Sequence, residues 1–184
     1  NRQMIPAFSI EGDEHATDAR RGGGVFKKTE QAMAVLKREH VPFGISITAT
    51  KENLQAVTGR NFIEEFIDKG CRLFIYVEYV PVKPGSEPLV LSKNEKRYLS
   101  ESCDKNIKDH PALFIAFPGD EAQYGGCLAA GRGFIHISPD GRLEPCPFAP
   151  FSDAGLKEMT LKEALCSPFL ERVRQNHHLL KEGD

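Results

Sequence analysis

Short apolar runs alternate with stretches that carry apolar residues at helical spacing, and this alternation sets the expected architecture. The first run, Met4-Ile5-Pro6-Ala7-Phe8-Ser9-Ile10, suits a buried parallel strand and stops at Glu11-Gly12. Residues 13–24, full of charge and glycine, read as a polar loop. Residues 25–39 read as a helix with Phe26, Ala32, Val35 and Leu36 on one face and Lys and Glu on the other. Pro42 follows, and residues 43–50 form a second strand. The pattern repeats with a helix over 61–69, where Phe62, Ile63, Phe66 and Ile67 turn inward and Gly70 suits the C-terminal cap. Residues 72–80 are a third strand, and the proline-rich stretch 81–88 is a loop. Ser92 opens a helix that reaches about Asn106, and Leu113–Phe117 is a fourth strand. Strands alternating with helices at this spacing predict βαβ units and a parallel sheet.

Pro118-Gly119-Asp120 closes that pattern, dividing the chain into residues 1–120 and 121–184. The second part starts with CLAAGRGFIHISPDGRLEPC, from Cys127 to Cys146. Phe134-Ile135-His136-Ile137 reads as a short strand, Ser138-Pro139-Asp140-Gly141 as a tight turn, and Leu143-Glu144 as the return. A hairpin folds its ends together, so two thiols nineteen apart in sequence become neighbours in space. Such a pair suits a disulfide, a zinc ion or an iron–sulfur cluster. Residues 160–166 and 168–180 follow as two helices.

The composition narrows the function classes. Over 184 residues, 40% are hydrophobic, enough for a real core, and a net charge of -2 leaves no electrostatic footprint for nucleic acid or a membrane. No apolar run approaches the roughly 20 residues of a membrane span, and the N-terminus has no signal-peptide pattern. The chain opens on Asn1 and enters a strand almost at once, which reads as an excerpt from a longer polypeptide. Its five cysteines are odd in number and widely spread. A disulfide framework is therefore not expected; a metal role and a reducing cytoplasm are.

The spacing C-x13-G-x4-C, with Gly141 at the turn, resembles the auxiliary-cluster hairpin of radical S-adenosylmethionine (SAM) enzymes, in the domain known as SPASM or its shorter relative, twitch. Three further stretches resemble the same family in the same order. Ser9-Ile10-Glu11-Gly12 is similar to the Ser-x-Asp/Glu-Gly ending of its fourth barrel strand. Asp18-Ala19-Arg20-Arg21-Gly22 is similar to the Asp-x-x-Arg-Gly that follows, and SITATKEN, residues 46–53, to the fifth strand with its Thr-x-x-Asn ending. Ser167-Pro168-Phe169 and an arginine-containing helix after the hairpin also fit the SPASM group.

This resemblance implies an α/β fold: a partial (β/α) TIM-type barrel over residues 1–120, then a small β-hairpin plus helices over 121–184 as an auxiliary-cluster domain. Barrel enzymes carry their functional groups at the C-terminal ends of strands. By resemblance, Ser9, Glu11, Thr48 and Asn53 contact the ribose and amino-acid portion of SAM, Arg21 approaches its carboxylate, and Val80 or Pro81 lies near the adenine. Cys127 and Cys146, with Cys166 as a candidate third ligand, hold an auxiliary [4Fe–4S] cluster. The family's Cys-x-x-x-Cys-x-x-Cys, which binds the SAM-cleaving cluster, is absent from the sequence. The resemblance thus implies a fragment, inactive alone, of an oxidoreductase that cleaves SAM to a 5′-deoxyadenosyl radical and abstracts a substrate hydrogen. The implied partners are an electron donor such as flavodoxin or ferredoxin and a small-molecule, peptide or protein substrate. The open edge of a half barrel also predicts self-association.

Blander readings stand beside these. Zinc on the cysteines would make the chain a non-enzymatic interaction module, and a third possibility is an ordinary α/β enzyme with incidental thiols. Cys71 and Cys103 read as structural, and Cys166 equally suits a small buried hydrophobe. Glu11 and Glu78 could form an acid/base pair, although a solvent-facing or ligand-binding role fits better. Gly22-Gly23-Gly24 lacks the Lys-Ser/Thr of a P-loop and reads as a flexible loop. His15, His110 and His136 are scattered, His177-His178 suits a polar helix end, and Asp140 serves the turn.

Overall fold

The computed structural model describes residues 4–81, 84–117 and 125–177. Pro118-Gly119-Asp120, which closes the α/β pattern, His178 and the end of the last expected helix lie outside these ranges. The chain forms two compact units, residues 1–120 and 121–184.

The first unit is a mixed α/β layer around four strands, β1 (Ala7–Ile10), β2 (Phe43–Ala49), β3 (Cys71–Glu78) and β4 (Leu113–Phe117), all parallel and in the order β1-β2-β3-β4. Helices fill each crossover: α1 (Glu14–Arg21) and α2 (Val25–Arg38), then α3 (Leu54–Val57) and α4 (Arg60–Asp68), then α5 (Lys93–Asp109). In a parallel sheet whose strand order does not reverse, crossovers of the usual right hand put every helix on one face. The burial agrees. Ile45, Ile47, Phe74, Tyr76 and Phe114 share a buried core with Met33 of α2, Ile63 and Phe66 of α4, and Leu99 of α5. Phe74 stacks on Phe114 with centroids 4.6 Å apart. Tyr76 donates its hydroxyl to the Val57 carbonyl at 2.9 Å, so this buried group is satisfied, while burial pushes its pKa up. Cys71 and Cys103 are buried in the same core, and burial pushes the Cys71 thiol up to about 11, an inert setting that suits the structural reading.

The opposite face differs. Register aligns Ser9, Ser46, Ile75 and Ile115 across it. Ser9 is exposed, the other three are half-buried, and Leu113 on the same side is 62% exposed. At the start of β2 the register shifts at Phe43/Gly44, and a Cβ on Gly44 would lie 2.8 Å from the Leu73 carbonyl oxygen and 2.9 Å from Leu73 Cβ. Gly44→Ala is expected to separate β2 from β3 locally and cost about 1–3 kcal/mol, read as a lower urea midpoint at unchanged slope. An unchanged midpoint would mean that the strands do not approach this closely.

Several expectations need correction. Residues 13–24 hold a helix, α1, in place of a loop. The Asp13 side chain accepts the Ala16 N–H at 2.8 Å, Glu14 sits in the first turn and Arg20 and Arg21 in the last. The charges that suggested a loop therefore complement the two ends of a helix. The triglycine turns the chain between the two helices, with Gly22 (φ 106) ending α1 and Gly24 (φ 78) leading into α2. Val35 is 45% exposed, and Met33 fills the core position expected of it. The short α3 and a 3-10 turn at Glu87–Leu89 have no clear signal in the sequence. Ser92 does cap α5, in a reciprocal pairing with Glu95, but the helix runs on to Asp109.

In the second unit β5 (His136–Ile137) pairs antiparallel with β6 (Leu143–Glu144), and Phe134-Ile135 stays outside the pairing. Ala130, Leu143, Ala154, Ala164 and Leu170 form its core. Thr160 and Ser167 cap α6 (Leu161–Leu165) and α7 (Pro168–Gln175) through their hydroxyls.

Candidate ligand site at the strand ends

Glu11 directly follows β1, so its backbone leaves the sheet while its side chain stays buried, 3% exposed for the residue as a whole. Its N–H donates to Thr17 Oγ1 of α1 at 3.1 Å. Its carbonyl accepts from Asn53 Nδ2 at 3.0 Å. Arg21 Nη2 donates to Oε1 at 2.5 Å, and Arg20 Nε lies 3.5 Å from the same oxygen. Oε2 is buried and has no hydrogen-bond partner among the described residues. An ionised carboxylate accepts on both oxygens, so one buried acceptor is left open here.

Asn53 stands just before α3. Its Nδ2 donates to the Glu11 and Thr48 carbonyls, at 3.0 and 2.9 Å, and its Oδ1 accepts from Thr50 N at 2.8 Å and Thr50 Oγ1 at 3.2 Å. This ties the end of β1 to the end of β2. Thr48 lies half-buried on the helix-free side of β2, two residues beyond Ser46, the partner of Ser9. Just beyond β3, the Tyr79 N–H donates to the Ala49 carbonyl at 3.0 Å, and the Arg20 guanidinium sits 5.7 Å from the centre of the Tyr79 ring. Val80 and Pro81 follow, both exposed.

The arginines are placed by the turn after α1. Asp18 accepts the Gly24 N–H at 2.6 Å and the Phe26 N–H at 2.8 Å, at the N-terminus of α2. These backbone donors, Phe26 first and then Gly24, hold its carboxyl below the ordinary 3.8. The folded state thus binds this proton less readily than the unfolded chain. The cap is fully present above that ordinary value and is lost as pH falls through the lower folded one. The stability gap between wild type and Asp18→Asn should therefore narrow as pH falls below the ordinary carboxylate value; a gap that does not change with acidification would contradict the assignment.

The structure thus brings together Glu11, Arg21, Thr48 and Asn53, places Ser9 on the adjoining open face and puts Val80 and Pro81 beyond β3. Glu11 and Glu78 are not in contact. Strand β2 lies between their strands, a lateral separation of about 10 Å, and each has its own cation. Lys96 Nζ sits 2.6 Å from Glu78 Oε2, and Glu78 is 5% exposed. A solvent-facing role is therefore excluded for both glutamates. Sequence reasoning missed Thr17, Arg20 and Lys96. Arg20 lay inside a recognised motif, but nothing in the sequence marks Lys96, which meets Glu78 only because α5 folds back over the end of β3.

In the second unit none of the three candidate cysteines forms a disulfide among the described residues; Cys127 and Cys146 are half-buried, and Cys166 is exposed at the C-terminal cap of α6. The Ala130 N–H donates to the Pro145 carbonyl at 3.0 Å, joining the segment after Cys127 to the one before Cys146, and Ala129 N lies 3.5 Å from Cys127 Sγ. Among the described residues no three His, Cys, Asp or Glu side chains are gathered as a metal-binding group. The Ala130–Pro145 bond joins the two segments that carry Cys127 and Cys146, and the three cysteines are not gathered as a ligand set among the described residues. His136 Nε2 is 3.7 Å from Glu144 Oε2, a partner within the strand pair.

Polar groups converge beyond the C-terminal ends of the parallel strands, the edge at which α/β barrel proteins carry their functional groups. In sequence, the chain is 26% identical over 183 residues to the AdoMet-dependent heme synthase of Methanosarcina barkeri, covering 85% of this chain and 52% of that protein. In fold, it is similar to anSMEcpe solved with AdoMet and a Cp18Cys peptide, with TM-score 0.63 at 15% identity over 98% of this chain and 55% of that one. It is also similar to Streptococcus suis SuiB bound to S-adenosylmethionine, with TM-score 0.63 at 14% identity over 95% of this chain and 45% of the other. No family model matches. These likenesses relate the chain in sequence to the heme synthase and in fold to anSMEcpe and SuiB. It spans about half the length of these relatives.

Proposed function

We propose that the chain is part of a radical SAM oxidoreductase and contributes the later strands of a (β/α) barrel and an auxiliary-cluster domain. SAM would bind at the strand ends. The observation that carries this reading is the buried Glu11 carboxylate, one oxygen held by Arg21 and the other open. A zwitterionic ligand supplies what the site lacks. Its ammonium or a ribose hydroxyl can donate to Oε2, and its carboxylate can meet the remaining donors of the Arg21 fork. Ser9 and Thr48 offer hydroxyls on the open face, and Val80 and Pro81 an apolar border for the adenine.

When bound, SAM and the [4Fe–4S] cluster that cleaves it supply a radical able to abstract a substrate hydrogen. The Cys-x-x-x-Cys-x-x-Cys for that cluster is not in this sequence, so this chain contributes binding and orientation. A small-molecule or peptide substrate and a flavodoxin- or ferredoxin-type electron donor complete the proposal. Equilibrium dialysis against SAM tests it: the wild-type chain should retain SAM and the Glu11→Ala/Arg21→Ala double variant should not. Equal retention would refute the site.

In the second unit, Cys127, Cys146 and Cys166 are the proposed auxiliary-cluster ligands. Anaerobic reconstitution with iron and sulfide is expected to give roughly one cluster per chain, absorbing near 400 nm, and to fail in Cys127→Ala and in Cys146→Ala. Zinc uptake without iron would instead favour an interaction module. The outer strands β1 and β4 leave sheet edges that support self-association; a scattering profile that stays monomeric with rising concentration would argue against it.

A further inference from the structure

We infer that Asn53 is a positioning residue, which sets the Glu11–Arg21 pair for the ligand and does not touch the ligand itself. The inference rests on the SAM reading above and changes the part Asn53 plays in it. An asparagine side chain has two donor hydrogens and two acceptor lone pairs. In Asn53 all four are taken, by the Glu11 carbonyl, the Thr48 carbonyl, the Thr50 N–H and the Thr50 hydroxyl. Two of these partners can only accept and the Thr50 N–H can only donate, so the orientation of the amide is fixed without ambiguity. A ligand could use this side chain only by breaking a bond already made.

What the bonds join explains their use. Strands β1 and β2 pair as far as Ile10 and Ile47, and there the ladder ends. The Glu11 carbonyl lies one residue beyond, where β2 offers it no backbone donor. Asn53 Nδ2 supplies that donor and holds Thr48 with the same group, adding one side-chain rung to the sheet. Glu11 is thus fixed through three of its groups: its N–H by Thr17, its carbonyl by Asn53 and its carboxylate by Arg21. Without Asn53 the Glu11 backbone is free to leave the sheet, and the carboxylate that orients Arg21 moves with it.

Amide hydrogen exchange and SAM titration, followed by NMR on the full chain, test this. The Asn53 side-chain amide protons should exchange at least tenfold more slowly than those of exposed asparagines, and should hold their shifts as SAM is added. Asn53→Asp keeps an acceptor for Thr50 but turns a carboxylate toward two carbonyls. It should speed exchange of the Glu11 amide and weaken SAM binding tenfold or more. In a Glu11→Gln background the same change should cost twofold or less, because its effect passes through Glu11. Fast-exchanging Asn53 amide protons that shift on binding, or a full tenfold penalty in both backgrounds, would overturn the inference in favour of direct contact. A wild-type chain that takes up no SAM would overturn the ligand reading; the exchange rates of Asn53 and Glu11 would then decide the positioning role alone.

Discussion

Arg21→Ala is expected to lower stability by about 2 kcal/mol and to weaken SAM binding by roughly a hundredfold. The Glu11 side chain is only 4% exposed, and the 2.5 Å contact from Arg21 is its principal charge partner. Removing one member of a buried pair leaves the other ion desolvated, which costs about 3–5 kcal/mol when burial is complete. Two features reduce the cost here. Arg21 keeps 29% of its side-chain surface, and Arg20 remains 3.5 Å from the same oxygen. A double variant, Arg21→Ala with Glu11→Gln, should recover much of the stability because no buried charge is left unpaired. Binding should not recover, since the ligand has then lost both the fork and the anionic acceptor. Urea denaturation and titration calorimetry on the two variants and wild type separate these effects. Full binding with Arg21→Ala would remove the arginine from the site.

The two faces of the sheet should respond unequally to truncation. Phe74→Ala is expected to cost about 3–5 kcal/mol, because it empties a fully buried position stacked on Phe114. Leu113→Ala on the other face should change stability by less than about 0.5 kcal/mol, since that side chain is already 62% exposed. Thermal or urea melts of the chain at low concentration provide the comparison. If Leu113→Ala cost as much as Phe74→Ala, the helix-free face would be covered in solution, and a concentration-dependent loss would identify the cover as a second copy of the chain.

The strands were legible because each apolar run is bounded by residues that stop it. Pro42 and Gly70 precede β2 and β3, and Leu113–Phe117 has no competing helical period. Helix α1 was not legible, since Glu14, Arg20 and Arg21 look like loop charge until Asp13 is seen to cap the turn. Residues of the candidate site could be located from their motifs, but their bonding could not. An asparagine after a strand reads as a free donor and acceptor; only the folded chain shows that Glu11, Thr48 and Thr50 already use both. Lys96 is the converse case. It belongs to a helix surface by sequence, and the return of α5 against β3 turns it into the partner of a buried glutamate.

Chemical-shift mapping of SAM on the backbone amides of this chain tests the central claim most directly, and it detects binding even at millimolar affinity. The account predicts that the shifts gather at Glu11, Gly12, Arg21, Thr50 and Tyr79 and saturate with SAM concentration. Shifts confined to other surfaces, such as the groove between α4 and α5 lined by Arg60, Tyr98 and Asn106, or none at all, would contradict it.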